Sequence, residues 1–340
     1  MKKSFKLLNC IMALAMLVCC FTACAEKPEE NVPTPPNVHV HSTVLVQAKA
    51  AQYAQHGNKE YYKCSCGDLF EDKAATKPTT ENAVKVLSET MFDKKSYTNN
   101  GYSLNYCLYE PTNLNKSSDK VPLVLFLHGA GERGSDNQAQ LKNAILKVVN
   151  KNNTSSNWMN SVIIAPQCPL LGTNSMDIND YKWVDTLWSK GNYVQENVPE
   201  NERLNAVANL VNQYATYDYI DEDRVYVVGL SMGGFGTWDI ISRYPNMFAA
   251  AVPICGGGPI DKINVLKDIP IYTFHGTADS SVPYSGTQEM YNAIIGAGGE
   301  KITFYTFSGK GHGIWNDAIT FGGSGTQYPA LEDWLFSQSK

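Results

Sequence analysis

The stretch Val225–Asp239, VYVVGLSMGGFGTWD, decides how this chain is read. Its first residues, Val225 to Val228, are β-branched and aromatic and read as a buried strand. The strand runs straight into Gly229-Leu230-Ser231-Met232-Gly233, and helical spacing follows over Gly234–Ser242. A G-x-S-x-G turn between strand and helix raises a serine hydroxyl above the end of a sheet, and its glycines leave room for the crossing backbones. Taken alone, the same five residues also describe an ordinary glycine-rich turn. The other strand ends discriminate between the two.

Outward from that turn the chain alternates strands and helices. Strands are expected at Ser103–Tyr109, Val121–Leu127, Ser161–Ala165, Arg224–Val228, Phe248–Ile254, Pro270–His275 and Ile302–Phe307. Helices are expected at Gln138–Val149, Leu204–Tyr214, Gly234–Ser242, Gly286–Ile295 and Tyr328–Ser337. Apolar strands without alternation, separated by helices, predict a mostly parallel sheet covered on both faces. In such a sheet, sites gather at the carboxyl ends of strands. Asp279 follows one strand and His312 another, giving the order Ser231, Asp279, His312, which is that of the α/β-hydrolase fold. In that triad His312 takes the Ser231 proton and later returns it to a leaving alcohol, while Asp279 holds the imidazole tautomer. Individually, Asp279 reads equally well as a turn aspartate and His312 as a surface histidine. Their shared placement favours the triad. The backbone N–H groups of Met232 and of Ala130, in the loop after VPLVLFLHG, are the expected oxyanion donors. His128 reads as a structural residue of that loop.

Composition fits a large α/β domain with additions. The chain has 340 residues, 43% hydrophobic and 18% charged, with a formal charge of −5. No Lys/Arg run lies beyond the extreme N-terminus, which argues against a nucleic-acid partner.

The N-terminus reads as an export signal. Lys2, Lys3 and Lys6 precede an apolar run from Leu7 to Phe21, and small residues lead to Cys24. Phe21-Thr22-Ala23-Cys24 resembles a bacterial lipobox, with Cys24 as the lipidated residue. Phe21 departs from the usual Leu, and Cys19 and Cys20 are rival positions. The expected divisions are 1–24 signal with lipobox, 25–38 tether, 39–80 small module and 84–340 catalytic domain. The expected location is the cell surface through Cys24, or the medium if the chain is simply secreted.

The small module holds His39, His41, His56, Cys64 and Cys66. Metal binding is the sharper reading of that set. The single residue between Cys64 and Cys66 speaks against a zinc knuckle, which normally has two. The segment resembles short repeats in surface proteins of anaerobic Gram-positive bacteria, whose usual upstream cysteine is absent from Ala51-Gln52-Tyr53 here. The expectation is a small β-rich spacer, with no metal and no cofactor.

LFLHGAGERGSDN, APQCP, DRVYVVGLSMGGFGTWD, PICGGG, FHGTAD with VP, and GHGIW together resemble the α/β-hydrolase group called predicted peptidases. That group is related to feruloyl and acetylxylan esterases and to polyhydroxyalkanoate depolymerases. The resemblance covers roughly Val84 to the C-terminus. It implies an exported serine esterase that removes feruloyl or acetyl groups from plant cell-wall polysaccharides through an acyl-enzyme. Its partners would be an ester-bearing polysaccharide or oligosaccharide and, through the lipid anchor alone, a membrane. The rivals are a serine peptidase and a non-catalytic glycan-binding protein on a hydrolase fold. No propeller-sized region or large lid insertion is evident, which counts against an oligopeptidase and a lid-gated lipase. In the group's strand order, the strands before Cys168 and Cys255 are separated by two others. That places these cysteines on the order of 14 Å apart, beyond the roughly 7 Å a disulfide spans, so both are expected as buried thiols. Trp315, Gln167 and Trp183 are the expected substrate contacts, although tryptophans of this size also serve as packing.

Overall fold

The computed structural model describes residues 40–340 except 154, 175, 176 and 178. The signal, the Cys24 lipidation, the tether and His39 lie outside the described residues.

The first elements are short. Strands β1 (Thr43–Val46), β3 (Tyr61–Cys64), β4 (Leu69–Phe70) and β5 (Pro78–Thr79) form an antiparallel sheet in that order. Strand β2 (Gly57–Asn58) pairs instead with β6 (Lys85–Val86), beyond helix α1 (Glu81–Val84). Thr80 caps α1 by accepting the Ala83 N–H at 3.2 Å. The β-rich expectation holds. The module is also joined to the α/β domain, since His41–Lys340 is one compact unit. Besides the β2–β6 pairing, the His56 N–H donates to Asp93 Oδ1 at 3.1 Å, and the Ser88 N–H donates to His56 Nδ1 at 3.0 Å. His56 is therefore part of this joint. A cavity of about 170 Å³ lies beside it, lined by residues such as Tyr61, Lys95 and Glu110 and not by Ser231.

The main sheet has eight strands. They are β7 (Asp93–Asn99), β8 (Tyr102–Tyr109), β9 (Val121–Leu127), β10 (Val162–Pro166), β11 (Ile220–Leu230), β12 (Ala250–Ile254), β13 (Ile271–Gly276) and β14 (Ile302–Phe307). Their order is β14-β13-β12-β11-β9-β10-β8-β7. Strands β9 to β14 pair in parallel, while β8 is antiparallel to both β10 and β7. This is the α/β-hydrolase fold. Strand β7 is absent from the sequence reading because its residues, DKKSYTN, are mostly polar. Its hairpin turn, Asn100-Gly101, has φ of +48° and +83°, the left-handed pair that a two-residue turn demands.

Side chains alternate across the sheet. On β9, Leu123, Leu125 and Leu127 join the core beneath α3 (Glu202–Ala215) and α4 (Met232–Arg243), while Val124 and Phe126 face the opposite core. Helices α5 (Ile263–Leu266) and α6 (Tyr284–Gly296) lie on the first side, with Leu266, Met290 and Ile294 buried there. On the other side are α2 (Ile145–Val148), α7 (Trp315–Ile319) and α8 (Leu331–Phe336). Both faces of β9 are fully buried, which is why the sequence shows an unbroken apolar stretch.

The expected helix Gln138–Val149 is a correction. It is a 3₁₀ turn at Ala139–Leu141 and the short α2, with Ala144 between them at φ +58°. The Ala144 N–H donates to Asn316 Oδ1 at 3.0 Å, so a residue far along the chain breaks the helix.

Candidate active site

Strand β11 ends at Leu230, and α4 begins at Met232. Ser231 lies between them at φ +54°, ψ −117°, a conformation rare for any residue with a Cβ. Its N–H donates to Ile254 O on the adjacent strand at 2.8 Å, and the Phe235 N–H returns to Ser231 O at 3.1 Å. A serine at a helix start usually caps it with its own hydroxyl. Ser231 makes no such bond. The glycines around it have no space for a side chain. A Cβ on Gly229 would stand 2.2 Å from Gly233 O, and one on Gly233 would stand 2.0 Å from Leu127 O.

The Ser231 hydroxyl instead lies 2.7 Å from His312 Nε2, and His312 Nδ1 lies 2.6 Å from Asp279 Oδ2. A carboxylate only accepts, so Nδ1 carries the imidazole proton and Nε2 is free to accept from Ser231. The Asp279 carboxylate is fully buried, whereas the His312 side chain is 20% exposed. Asp279 Oδ1 accepts the N–H groups of Ser281 at 2.8 Å and Val282 at 2.9 Å, fixing the carboxylate within its own turn. Burial alone would raise this carboxyl, but hydrogen bonds from His275, His312 and Val282 outweigh it and hold Asp279 well below the ordinary carboxylate range.

His275 lies in the sequence motif FHGTAD, where it carried no expected role. The structure buries it and sets its Nε2 3.0 Å from Asp279 Oδ2 and 3.2 Å from Val282 O. Both are acceptors, so Nε2 carries a proton aimed at the carboxylate. Its Nδ1 lies 2.7 Å from Thr287 Oγ1, which is also 2.9 Å from Gly256 O. Asp279 is thus held between two histidines. A histidine four residues before the aspartate, at the end of an apolar strand, was the available signal. Cys255 packs nearby at φ +50°, its thiol 3.5 Å from His312 O, and burial raises that thiol far above its ordinary value.

The loop after β9 passes directly against the serine. The space beside Gly129 Cα is taken by Leu230 Cδ1 and Ser231 Cβ. Ala130 opens the 3₁₀ turn Ala130–Glu132 and Met232 opens α4, so two chain segments start helical turns beside Ser231. First-turn N–H groups point out of a helix start without intrahelical partners. His128 fixes this loop: its Nδ1–H donates to Gly129 O at 2.6 Å, and the Cys168 N–H donates to its Nε2 at 2.9 Å. Burial pushes the His128 imidazole down to about 4.

Two expected substrate contacts are corrected. Gln167 is buried. Its Oε1 accepts the Asn137 N–H at 2.7 Å, and its Nε2 donates to Asp136 Oδ1 at 2.7 Å and Glu132 O at 3.1 Å. It clamps the loop after β9. Trp183 has no exposed surface. Its indole N–H donates to His128 O at 3.1 Å, and its ring packs edge-on against His128. Trp315 is different, half-buried with its ring edge-on to His312 at 5.4 Å between centroids. Cys168 and Cys255 are buried free thiols, and β9 and β11 separate the strands that precede them.

A serine hydroxyl bonded to an imidazole that is itself held by a buried carboxylate is the arrangement of acyl-transfer hydrolases. Residues 112–322 match the family model described as phospholipase/carboxylesterase. The chain belongs to this family. It is similar to the bifunctional acetylxylan esterase/xylanase XynS20E of Neocallimastix patriciarum, at 28% identity over 177 residues, 52% of this chain and 22% of that protein. Poly(3-hydroxyalkanoate) depolymerase C of Paucimonas lemoignei is 42% identical over 52 residues, 15% of this chain and 13% of that protein. The matched region thus spans less than a quarter of either relative. A crystal structure of a thermostable esterase superposes with a TM-score of 0.61 at 28% identity, covering 90% of this chain and 79% of that one. The protein is a carboxylesterase-type α/β hydrolase.

Proposed function

We propose that this hydrolase is a serine esterase that removes acetyl or feruloyl groups from plant cell-wall polysaccharides, and that Ser231, His312 and Asp279 are its catalytic residues. The observation carrying the mechanism is the continuous pair of hydrogen bonds, 2.7 Å from Ser231 to His312 and 2.6 Å from His312 to Asp279. Ser231 Oγ attacks the ester carbonyl as His312 Nε2 takes its proton. The resulting oxyanion is met by the N–H groups of Met232 and Ala130. His312 then protonates the departing sugar oxygen, and the acyl group stays on Ser231. A water, deprotonated by the same Nε2, attacks the acyl carbon; His312 then returns that proton to Ser231 Oγ as the acyl–oxygen bond breaks, releasing the carboxylic acid. Asp279, with His275 behind it, stabilises the imidazolium formed in each half-reaction.

The acyl and polymer assignment rests on two supports, the acetylxylan esterase relative and the indole of Trp315 beside His312. A flat aromatic wall suits a sugar or cinnamoyl ring. An exported location, with the lipid on Cys24 tethering the enzyme to the cell surface, would place it with polymers that do not enter cells. The test is one panel of acetylated xylan, methyl ferulate, short nitrophenyl esters and a chromogenic peptide, run beside Ser231→Ala. Turnover of acetylated xylan or methyl ferulate that disappears with Ser231→Ala is expected. Turnover of the peptide alone would replace the esterase reading with a peptidase one, and ester turnover surviving Ser231→Ala would end the mechanism.

A further inference from the structure

The small module carries a second cluster of reactive side chains, far simpler than the catalytic one. Strand β3 ends at Cys64, and a tight turn leads into β4. The Cys64 N–H donates to Asp68 O at 2.9 Å, and the Gly67 N–H donates to Cys64 O at 3.0 Å. Gly67 takes φ +104° to close the turn. In the β1–β3 register Thr43 stands opposite Cys64, so the chain entering β1 brings His41 alongside the turn. Metal-ligating atoms of His41, Cys64 and Cys66 all lie within 4.8 Å of one another. Asp68 stands at the edge of the set: its Oδ2 is 3.4 Å from Cys66 Sγ and 3.7 Å from His41 Nδ1, and Cys66 Sγ is 3.5 Å from His41 Nδ1.

We propose that His41, Cys64 and Cys66 form a structural zinc site, with the exposed Asp68 carboxylate turning in as the fourth ligand. Zinc–sulfur bonds of about 2.3 Å and zinc–nitrogen or zinc–oxygen bonds of about 2.1 Å, at tetrahedral angles, give ligand separations of roughly 3.4 to 3.8 Å. The three separations around Cys66, His41 and Asp68, at 3.4, 3.5 and 3.7 Å, lie within that range. Two thiols with an imidazole suit zinc and disfavour the hard cations that prefer all-oxygen sites. The one-residue gap that speaks against a knuckle is no obstacle at a strand end. Cys64 is the first and Cys66 the third residue of the turn that the Gly67 N–H closes onto Cys64 O, so the turn itself folds Cys66 back towards Cys64 without the longer loop.

The module also has a need for a staple. Within residues 41–80 the buried apolar side chains are Ala54, Cys64 and Phe70, and the His41 ring packs on Phe70 at 4.7 Å. A segment of about 40 residues with so small a core usually relies on a metal or disulfides. A bound ion would pin the start of β1 to the β3–β4 turn. It would act on this module and not on the chemistry at Ser231.

The experiment uses the intact chain, purified under reducing conditions, loaded with zinc and dialysed. Elemental analysis is expected to find one zinc per chain, and cobalt in its place is expected to give an intense thiolate-to-metal charge-transfer band. Cys66 is exposed, so Cys66→Ser is expected to keep the wild-type circular dichroism spectrum while binding zinc at least tenfold more weakly. His41→Gln should weaken binding similarly. The other three-residue cluster able to hold a metal, among the described residues, is Cys255, Asp279 and His312. His312→Gln is therefore expected to retain its zinc. Absence of stoichiometric zinc in the reduced wild type would overturn the proposal, as would full retention by Cys66→Ser and His41→Gln. Loss of zinc from His312→Gln alone would move the ion to the catalytic cluster and equally overturn it.

Discussion

His128 makes the loop beside Ser231 a sensor of acid. Its two ring nitrogens are both committed, Nδ1–H to Gly129 O and Nε2 to the Cys168 N–H. A second proton on Nε2 would face an N–H donor, and burial already pushes the imidazole down to about 4. In the unfolded chain the same group titrates near 6.5. The folded value is the lower one, so the stabilising effect is fully present above pH 6.5 and is lost as pH falls towards 4. A gap of about 2.5 pH units, at about 1.4 kcal/mol each, amounts to roughly 3 kcal/mol in full. Between pH 7.5 and pH 4.5 most of it, roughly 2.5 kcal/mol, should disappear. The assay is urea unfolding of wild type and His128→Asn at both pH values. Other groups titrate over the same interval, so the informative quantity is the stability difference between the two proteins. At pH 7.5 wild type should be the more stable, because the variant leaves the Cys168 N–H without its acceptor. At pH 4.5 the difference should shrink by roughly 2.5 kcal/mol. A difference that stays constant across the two pH values would refute the assignment of His128 as a neutral, locked group.

Three further outcomes are expected. His275→Gln removes a hydrogen bond to an ionised carboxylate, worth about 1.5–3 kcal/mol. Steady-state kinetics on a nitrophenyl ester should show kcat falling about tenfold or more with KM little changed, whereas unchanged kcat would make His275 mere packing. Gly233→Ala drives a methyl to 2.0 Å from Leu127 O, a backbone atom that cannot step aside. Urea unfolding should register a loss of about 3 kcal/mol, the upper end for overpacking, and a variant as stable as wild type would contradict the close crossing of α4 and β9. In metal-free native protein a thiol reagent should label Cys66 quickly, and Cys107, Cys168 and Cys255 only after unfolding without reductant. A denatured sample lacking those additional thiols would mean that they are bridged.

Much of the fold was legible because parallel strands buried on both faces leave unbroken apolar runs. Val121–Leu127 and Ile302–Phe307 have the bounds read from sequence. The edge hairpin was less so, since β7 is polar and only its Asn-Gly turn betrays it. Gln138–Val149 has helical spacing, yet Asn316 and a left-handed Ala144 interrupt it, and no local pattern encodes a partner that distant. The same limit applies to Gln167 and Trp183. Their positions, one at a strand end and one in a long insertion, suggested the site, but which way a side chain turns depends on the groups that await it. Asn137, Asp136 and Glu132 receive the one, and His128 receives the other.

Local chain chemistry was sufficient for the sheet, for the turn that displays Ser231, and for the order in which serine, aspartate and histidine appear. Strand propensity, glycine geometry and position after a strand are all properties of neighbours in sequence. Tertiary structure alone decided that Asp279 is held by two histidines, that Trp315 and not Trp183 stands beside His312, and that His41 meets Cys64 and Cys66. Most of those are meetings between segments far apart in the chain, and their distances are set by how the sheet twists and packs.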